Sequence, residues 1–114
     1  MSETIFSKII SREIPAGIVY EDKDVLAFSD VNPQAPIHCL FIPKHAIATV
    51  NDIQPEHAEL IGQLFLAAKK FALEMGVDES GYRLVMNCNG DAGQTVFHIH
   101  LHFLAGRTLG WPPG

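Results

Sequence analysis

The segment 94–103, QTVFHIHLHF, constrains the fold more than any other part of the chain. It holds three of the six histidines, His98, His100 and His102, at every second position in an apolar run. Side chains alternate across a strand, so the three imidazoles are expected to share one face. The opposite face, expected to be the core face, carries Phe97, Ile99, Leu101 and Phe103. We therefore predict a strand whose histidine face opens toward a pocket, a ligand or water.

Two helices are predicted from apolar residues at helical spacing. A short one begins near the N-terminus, with Ser2 or Thr4 as its cap and with Ile5, Phe6, Ile9 and Ile10 as its apolar side. A longer amphipathic helix ends at Gly76. Its stripe comprises Leu60, Ile61, Leu64, Phe65, Ala68, Phe71, Ala72 and Met75.

The other regular elements are short β-prone runs at 18–20, 25–28, 37–42 and 82–87. The first two are joined by a polar turn, which indicates a hairpin, and prolines stiffen the loop 30–36. Together with the histidine run this gives five strands. We predict an α+β fold: an antiparallel five-stranded sheet with the long helix on one face.

Composition limits the class of protein. With 114 residues, 47% of them hydrophobic and 18% charged, the chain is expected to be one compact domain, 1–114. A net charge of −5 with scattered Lys and Arg argues against a nucleic-acid partner. No run suggests a membrane span or a signal peptide, and only Cys39 and Cys88 are present. We expect a cytoplasmic protein with reduced thiols.

Three interpretations of the histidine run can be compared. Burying three imidazoles without partners would cost a few kcal/mol each, so a plain core role is disfavoured. A zinc site with His38 as a further ligand is compatible with the spacing, although the run itself contains no carboxylate. In the third interpretation a neutral imidazole attacks phosphorus and carries a nucleotidyl group. Spacing alone leaves the second and third interpretations open.

The chain resembles the histidine triad family in three places that occur in the expected order. They are IFSKIISREIPAGIVYED near the start, AFSDVNPQAPIHCLFIPKH in the middle, and QTVFHIHLHF followed by the terminal WPPG. It is most similar to the histidine triad nucleotide-binding (HINT) branch. The resemblance implies hydrolysis of purine nucleoside phosphoramidates and aminoacyl-adenylate-like compounds, with no metal and no cofactor.

The resemblance also assigns unequal roles to the histidines. It implies that His100 is the nucleophile on the α-phosphorus and forms a covalent nucleotidyl-histidine that water resolves. His102 is expected to contact the phosphate and to assist the leaving amine. The backbone carbonyl of His98 is expected to hold the far nitrogen of His100, and His38 completes the relay.

Nucleotide-binding positions follow from the same resemblance. Asp30 is expected to bind the ribose hydroxyls, a task for which a carboxylate acceptor is suited. The apolar base pocket is expected to comprise Ile5, Phe6, Ile9, Phe28 and Val31. The phosphate is expected to contact Asn87, Gly93, Gln94 and Thr95 beside His100 and His102. Thr95 stands where many relatives carry serine, which keeps the hydroxyl but stiffens the side chain.

A homodimer is implied as well, formed through the long helix and the strand 82–87, so that the sheet continues across the interface. The tail 107–114, with Trp111, is expected to lie near the partner's site. Two alternative functions remain. One is hydrolysis of dinucleoside polyphosphates by an enzyme of the same superfamily, and the other is a regulatory protein that binds a nucleotide.

Overall fold

The computed structural model describes residues 3–114, which form one antiparallel sheet, two α-helices and three short 3-10 helices at Val50–Asp52, Pro55–His57 and Gly90–Ala92. In chain order the elements are α1 (Ile5–Ile10), β1 (Ile18–Glu21), β2 (Val25–Ser29), β3 (Ile37–Pro43), α2 (Ala58–Glu74), β4 (Tyr82–Val85) and β5 (Leu101–Ala105). The sheet order is β1-β2-β3-β5-β4. This confirms the predicted α+β class and the five-stranded antiparallel sheet.

Both faces of the sheet are covered, and β2 shows it most clearly. Val25 and Ala27 pack against α2 on one face, while Leu26 and Phe28 pack against α1 on the other. All four side chains are buried, which explains why β2 reads as a continuous apolar run and does not alternate.

The short helix α1 depends on its cap and on its buried face. Thr4 caps it through a reciprocal pair of bonds, with the Ser7 N–H donating to Thr4 Oγ1 at 3.2 Å and the Thr4 N–H donating to Ser7 Oγ at 2.9 Å. Six residues are too few for a stable isolated helix, so burial of Phe6 and Ile9 against the sheet supplies the stability. The Thr4 cap was one of the two predicted; Ser2 lies outside the described residues.

The stripe of α2 is narrower than predicted. Its buried centre is Leu64, Ala67, Ala68, Phe71 and Ala72. Phe65 and Met75, assigned to the stripe, are instead 46% and 47% exposed, because they lie at the margins of the contact with the sheet. Helix α2 itself ends at Glu74, and Gly76 follows its C-cap as the predicted terminating glycine, with a φ of +71° that suits glycine.

The histidine run departs from the predicted strand. Ladder pairing begins only at Leu101, opposite Phe41, and the residues before it are irregular. Leu101, Phe103 and Ile99 are buried as predicted, but Phe97 is 48% exposed and His98 is 1% exposed. The predicted core position of Phe97 and the pocket-facing position of the His98 ring are therefore wrong. The cause is a distant contact: the Ile99 N–H donates to Ile47 O at 2.8 Å and draws this segment away from the ladder.

Within residues 3–114, no helix has both the length and the apolar character needed to span a membrane. The segment 107–114 contains no regular element, as predicted, and Arg83 Nη2 donates to Gly110 O at 2.8 Å. Strand β4 ends at Val85 and is two residues shorter than the predicted 82–87.

Candidate active site

A cavity of about 500 Å³ lies on the α1 side of the sheet. Its walls are α1, the end of β2, the loop before β5 and two of the histidines. The lining residues are Ile5, Phe6, Ile9, Ile14, Pro15, Ala16, Gly17, Phe28, Ser29, Asp30, Val31, Leu40, Asn87, Gly93, Thr95, Val96, His100 and His102. Most of the residues predicted to bind a nucleotide are thus brought together around one volume.

His100 is held by one well-defined hydrogen bond. Its Nδ1 lies 2.8 Å from the backbone oxygen of His98, and because a carbonyl only accepts, Nδ1 must carry the proton. In the neutral ring Nε2 then keeps its lone pair. Burial lowers the pKa of His100 below its ordinary 6.5, which favours this neutral form at pH 7. The Phe6 ring packs nearly perpendicular to the His100 ring, at 89° and a centroid distance of 5.0 Å, which restricts the orientation of the imidazole.

His38 and His102 form a pair on the same face of the sheet. Leu40, two residues after His38 on β3, pairs with His102 on β5, so both imidazoles point toward the cavity side. His38 Nε2 lies 3.0 Å from His102 Nδ1. The Gln34 N–H donates to His38 Nδ1 at 3.0 Å, which leaves the proton of His38 on Nε2.

The tautomer of His102 follows from this pair. His38 Nε2–H donates to His102 Nδ1, so the neutral His102 ring carries its proton on Nε2 and offers a donor to the cavity. Burial, together with the nearby His100 and His38, lowers the pKa of His102 to about 4. Asp30 completes the group, with Oδ2 3.5 Å from His38 Nε2.

These three residues also satisfy the distances of a metal cluster. One ligand atom each from Asp30, His38 and His102 lies within 4.8 Å of the others. However, the two imidazole nitrogens already bond each other, so an ion would have to replace that hydrogen bond. That no metal is needed stays a prediction.

The His98 ring lies outside the cavity. Its Nε2–H donates to Pro43 O at 2.8 Å, its Nδ1 has no partner among the described residues, and burial lowers its pKa. The ring instead borders a smaller cavity of about 290 Å³ that also touches Asp52 and His57. Its link to the main cavity is therefore its carbonyl, which holds His100.

Gln94 likewise does not line the cavity. The residue is 5% exposed, and its side chain makes three hydrogen bonds within the protein. Oε1 accepts the Asn89 N–H at 2.8 Å, and Nε2 donates to Ala48 O at 2.8 Å and to Val96 O at 3.1 Å. The amide thus fixes the loop that carries Asn87, Gly93 and Thr95, which do line the cavity.

The apolar part of the cavity divides into a floor and a rim. Phe6, Ile9 and Phe28 are buried and form the floor, whereas Ile5 is 51% exposed and Val31 fully exposed at the rim. Exposed apolar side chains beside a cavity are typical of a ligand site. Several lining residues were not predicted from the sequence: Ile14, Pro15, Ala16, Gly17, Ser29, Leu40 and Val96. The run of small and apolar residues in the turn 14–17 was the available signal.

Similarity to known proteins shows the family of this chain. The HIT domain family model matches residues 11–109. A purine nucleoside phosphoramidase of Escherichia coli strain K12 is 56% identical over 108 residues, which are 95% of this chain and 91% of that protein. An uncharacterized HIT-like protein of Synechocystis sp. is 55% identical over 112 residues, 98% of this chain and 97% of its own. The crystal structure of a HIT family hydrolase from Legionella pneumophila matches with a TM-score of 0.96 at 53% identity, covering 98% of this chain and 100% of its own.

The chain therefore belongs to the HIT domain family. This confirms the resemblance drawn from the three sequence motifs, and the Legionella structure confirms the HIT-like fold.

Proposed function

We propose that this protein hydrolyses purine nucleoside phosphoramidates through a covalent intermediate on His100. The observation that carries the proposal is the bond from His100 Nδ1–H to the His98 carbonyl, which leaves the Nε2 lone pair free beside a cavity of about 500 Å³. The phosphoramidase activity of the Escherichia coli relative, 56% identical, supports the choice of bond.

In the first step, His100 Nε2 attacks the α-phosphorus as the P–N bond of the substrate breaks. The electron pair of that bond stays on the leaving nitrogen, where it accepts a hydrogen bond from His102 Nε2–H and a proton from solvent, so that a neutral amine departs. His100 becomes a nucleotidyl-imidazolium whose positive charge is shared with its Nδ1–H···O=C bond to His98.

In the second step, water attacks phosphorus and the bond from phosphorus to His100 Nε2 breaks. His100 recovers its lone pair, and the water releases the proton that the first step consumed. The cycle is thus balanced, with a nucleoside monophosphate and an amine as products.

The nucleoside is held by residues at the other end of the cavity. Asp30 Oδ1 accepts the Asn32 N–H at 2.8 Å, which orients the carboxylate and leaves further lone pairs for ribose hydroxyls. The purine packs on Ile5, Phe6, Ile9, Phe28 and Val31. The phosphate contacts Asn87, Gly93 and Thr95, while Gln94 holds their loop in place.

The working assembly is a cytoplasmic homodimer. Strand β4 stands at one end of the sheet order, so its outer edge is available for a partner strand. Leu66 and Leu73 on α2 are 64% and 66% exposed, and Trp111 in the tail is 82% exposed. Burial of these apolar side chains against a second copy would remove them from water. Both cysteines are free, which fits a reducing compartment.

The decisive experiment is His100→Ala. The variant should fold and bind AMP but lose P–N hydrolysis by more than about a thousandfold, because no nucleophile remains. Wild-type protein quenched in acid during turnover should carry a nucleotide on His100, detected by mass spectrometry. Persisting hydrolysis in the variant would exclude this mechanism. Faster turnover of a diadenosine polyphosphate than of an adenosine phosphoramidate would instead place the protein among the dinucleoside polyphosphate hydrolases.

A further inference from the structure

A hydrogen-bonded path connects the C-terminal tail to the proposed leaving-group contact. We propose that Arg107 is a positioning residue that fixes the proton of His102 on Nε2 by way of Gln34 and His38. This inference rests on the proposed function for its kinetic consequence, but its structural consequence can be measured independently.

The first part of the path is the hold on Gln34. Arg107 Nη2 and Nε donate to Gln34 O at 2.9 and 3.3 Å, while Nη1 donates to Thr108 O at 3.0 Å. The Gln34 N–H donates to His38 Nδ1. Both backbone polar groups of Gln34 are thus in use, one toward the tail and one toward the histidine pair. Because the guanidinium is a planar fork of donors, it restrains the carbonyl in direction as well as in distance.

The second part is the direction of the bond between the two imidazoles. Taken alone, the distance allows either nitrogen to be the donor. His38 Nε2–H can donate to His102 Nδ1, or His102 Nδ1–H can donate to His38 Nε2. In the first state His102 presents Nε2–H to the cavity, and in the second it presents a lone pair. The second state would require a proton on His38 Nδ1, where the Gln34 N–H already donates. Gln34 therefore selects the first state.

The consequence for catalysis lies in the leaving group. A lone pair on His102 Nε2 would repel the electron pair that collects on the departing nitrogen, whereas Nε2–H stabilises it. An amine is a poor leaving group and needs this contact. A nitrophenolate carries its charge without help, so its departure should depend little on the tautomer of His102.

The backbone at the end of β5 allows the contact between Arg107 and Gln34. Gly106 has a φ of +98°, and a Cβ built on it would lie 2.8 Å from Pro36 Cβ. Glycine therefore lets the end of β5 approach the loop that contains Gln34, and Arg107 follows directly. The packing of Gly106 on Pro36 thus brings β5 close to this loop independently of the hydrogen bonds from Arg107 to Gln34.

The test compares Arg107→Ala and Arg107→Lys with a matched control, Arg83→Ala. The control removes a single guanidinium–carbonyl bond, from Arg83 to Gly110 in the same tail, together with the contact of that guanidinium with the Trp111 ring, and neither contact involves Gln34. For an adenosine phosphoramidate with an alkylamine leaving group, Arg107→Ala should lower kcat by about tenfold with little change in KM. For the p-nitrophenyl ester of AMP the loss should stay below about twofold. Arg107→Lys should be intermediate, since a single donor replaces the fork.

The second measurement is the 15N spectrum of the imidazoles in histidine-labelled protein, which distinguishes a protonated nitrogen from one with a lone pair. Wild type and Arg83→Ala should show the proton of His102 on Nε2, and Arg107→Ala should shift part of the population to Nδ1. An equal loss of kcat on both substrates, or an unchanged tautomer in Arg107→Ala, would overturn the positioning role. If the tautomer shifts but wild type cleaves no phosphoramidate, the proposed function fails and the positioning role stands.

Discussion

Replacing Gln94 tests whether this side chain contacts the nucleotide or holds the loop around it. In Gln94→Ala, one N–H and two carbonyls lose their partners, namely the N–H of Asn89 and the carbonyls of Ala48 and Val96. Each of these part-buried hydrogen bonds is worth about 0.5–1.5 kcal/mol, and water can replace the lost partner at the exposed residues Asn89 and Ala48. We therefore expect the free energy of unfolding to fall by about 1–3 kcal/mol.

Gln94→Glu sharpens this test. The carboxylate keeps an acceptor for the Asn89 N–H but places an oxygen against the carbonyls of Ala48 and Val96, where Nε2 donated. A buried carboxylate oxygen that faces two carbonyls and has no donor of its own costs more than a missing bond, so Glu should destabilise at least as much as Ala despite its matching shape.

Urea denaturation followed by circular dichroism measures both variants. With a slope of about 1–2 kcal/mol per molar urea for a chain of this size, the midpoint of Gln94→Ala should fall by about 0.5–3 M. Gln63→Ala is the control, since that amide makes only a 3.5 Å contact with Glu59 on the surface of α2. If Gln94→Ala kept the wild-type midpoint while AMP affinity fell strongly, the side chain would be a ligand contact and our interpretation would be wrong.

Two further predictions concern the floor of the cavity and the pH response. Because Phe6 is buried against His100, Phe6→Ala should lower the free energy of unfolding by about 3 kcal/mol and weaken AMP binding, which calorimetry measures. The control is Phe97→Ala at an exposed position, which should change neither quantity by more than about 0.5 kcal/mol. Burial lowers the folded-state pKa values of His98, His100 and His102 below the ordinary 6.5. The unfolded chain therefore binds more protons below pH 6.5, so stability should be constant above that pH and fall as the pH drops toward 4. In the same way, the acidic limb of kcat/KM should lie below pH 6.5, and a limb above it would contradict a neutral buried nucleophile.

Sequence patterns predicted the elements whose shape is set by neighbouring residues. The stripe of α2, the hairpin of β1 and β2, and the Thr4 cap all follow from spacings of four residues or fewer. Patterns failed where a contact across the chain decides the conformation. The Ile99 N–H bonds Ile47 O, and Gln94 bonds Ala48 O from 46 positions away. No local periodicity contains such contacts.

The pairing of His38 with His102 spans 64 positions, and the sequence predicted only that His38 joins the histidines of the run. Which of the two imidazoles donates the hydrogen bond could not be predicted from the sequence. The direction depends on the Gln34 N–H, a backbone group whose orientation is a property of the folded loop and is common to every residue type except proline. The tautomer of His102, on which the leaving-group contact depends, is thus a tertiary property.

The residues before Leu101, for which the strand prediction was wrong, are also the residues that position His100 in the site. In a regular strand the carbonyl of His98 would lie in the plane of the sheet and bond the neighbouring strand. Here pairing with β3 begins only at Leu101, so that the carbonyl is free to accept from His100 Nδ1. Had the ladder extended back to His98, alternation would have put all three rings on one face, but nothing would have set the tautomer of His100. The departure from regular structure is therefore what distinguishes His100 chemically from the two histidines beside it.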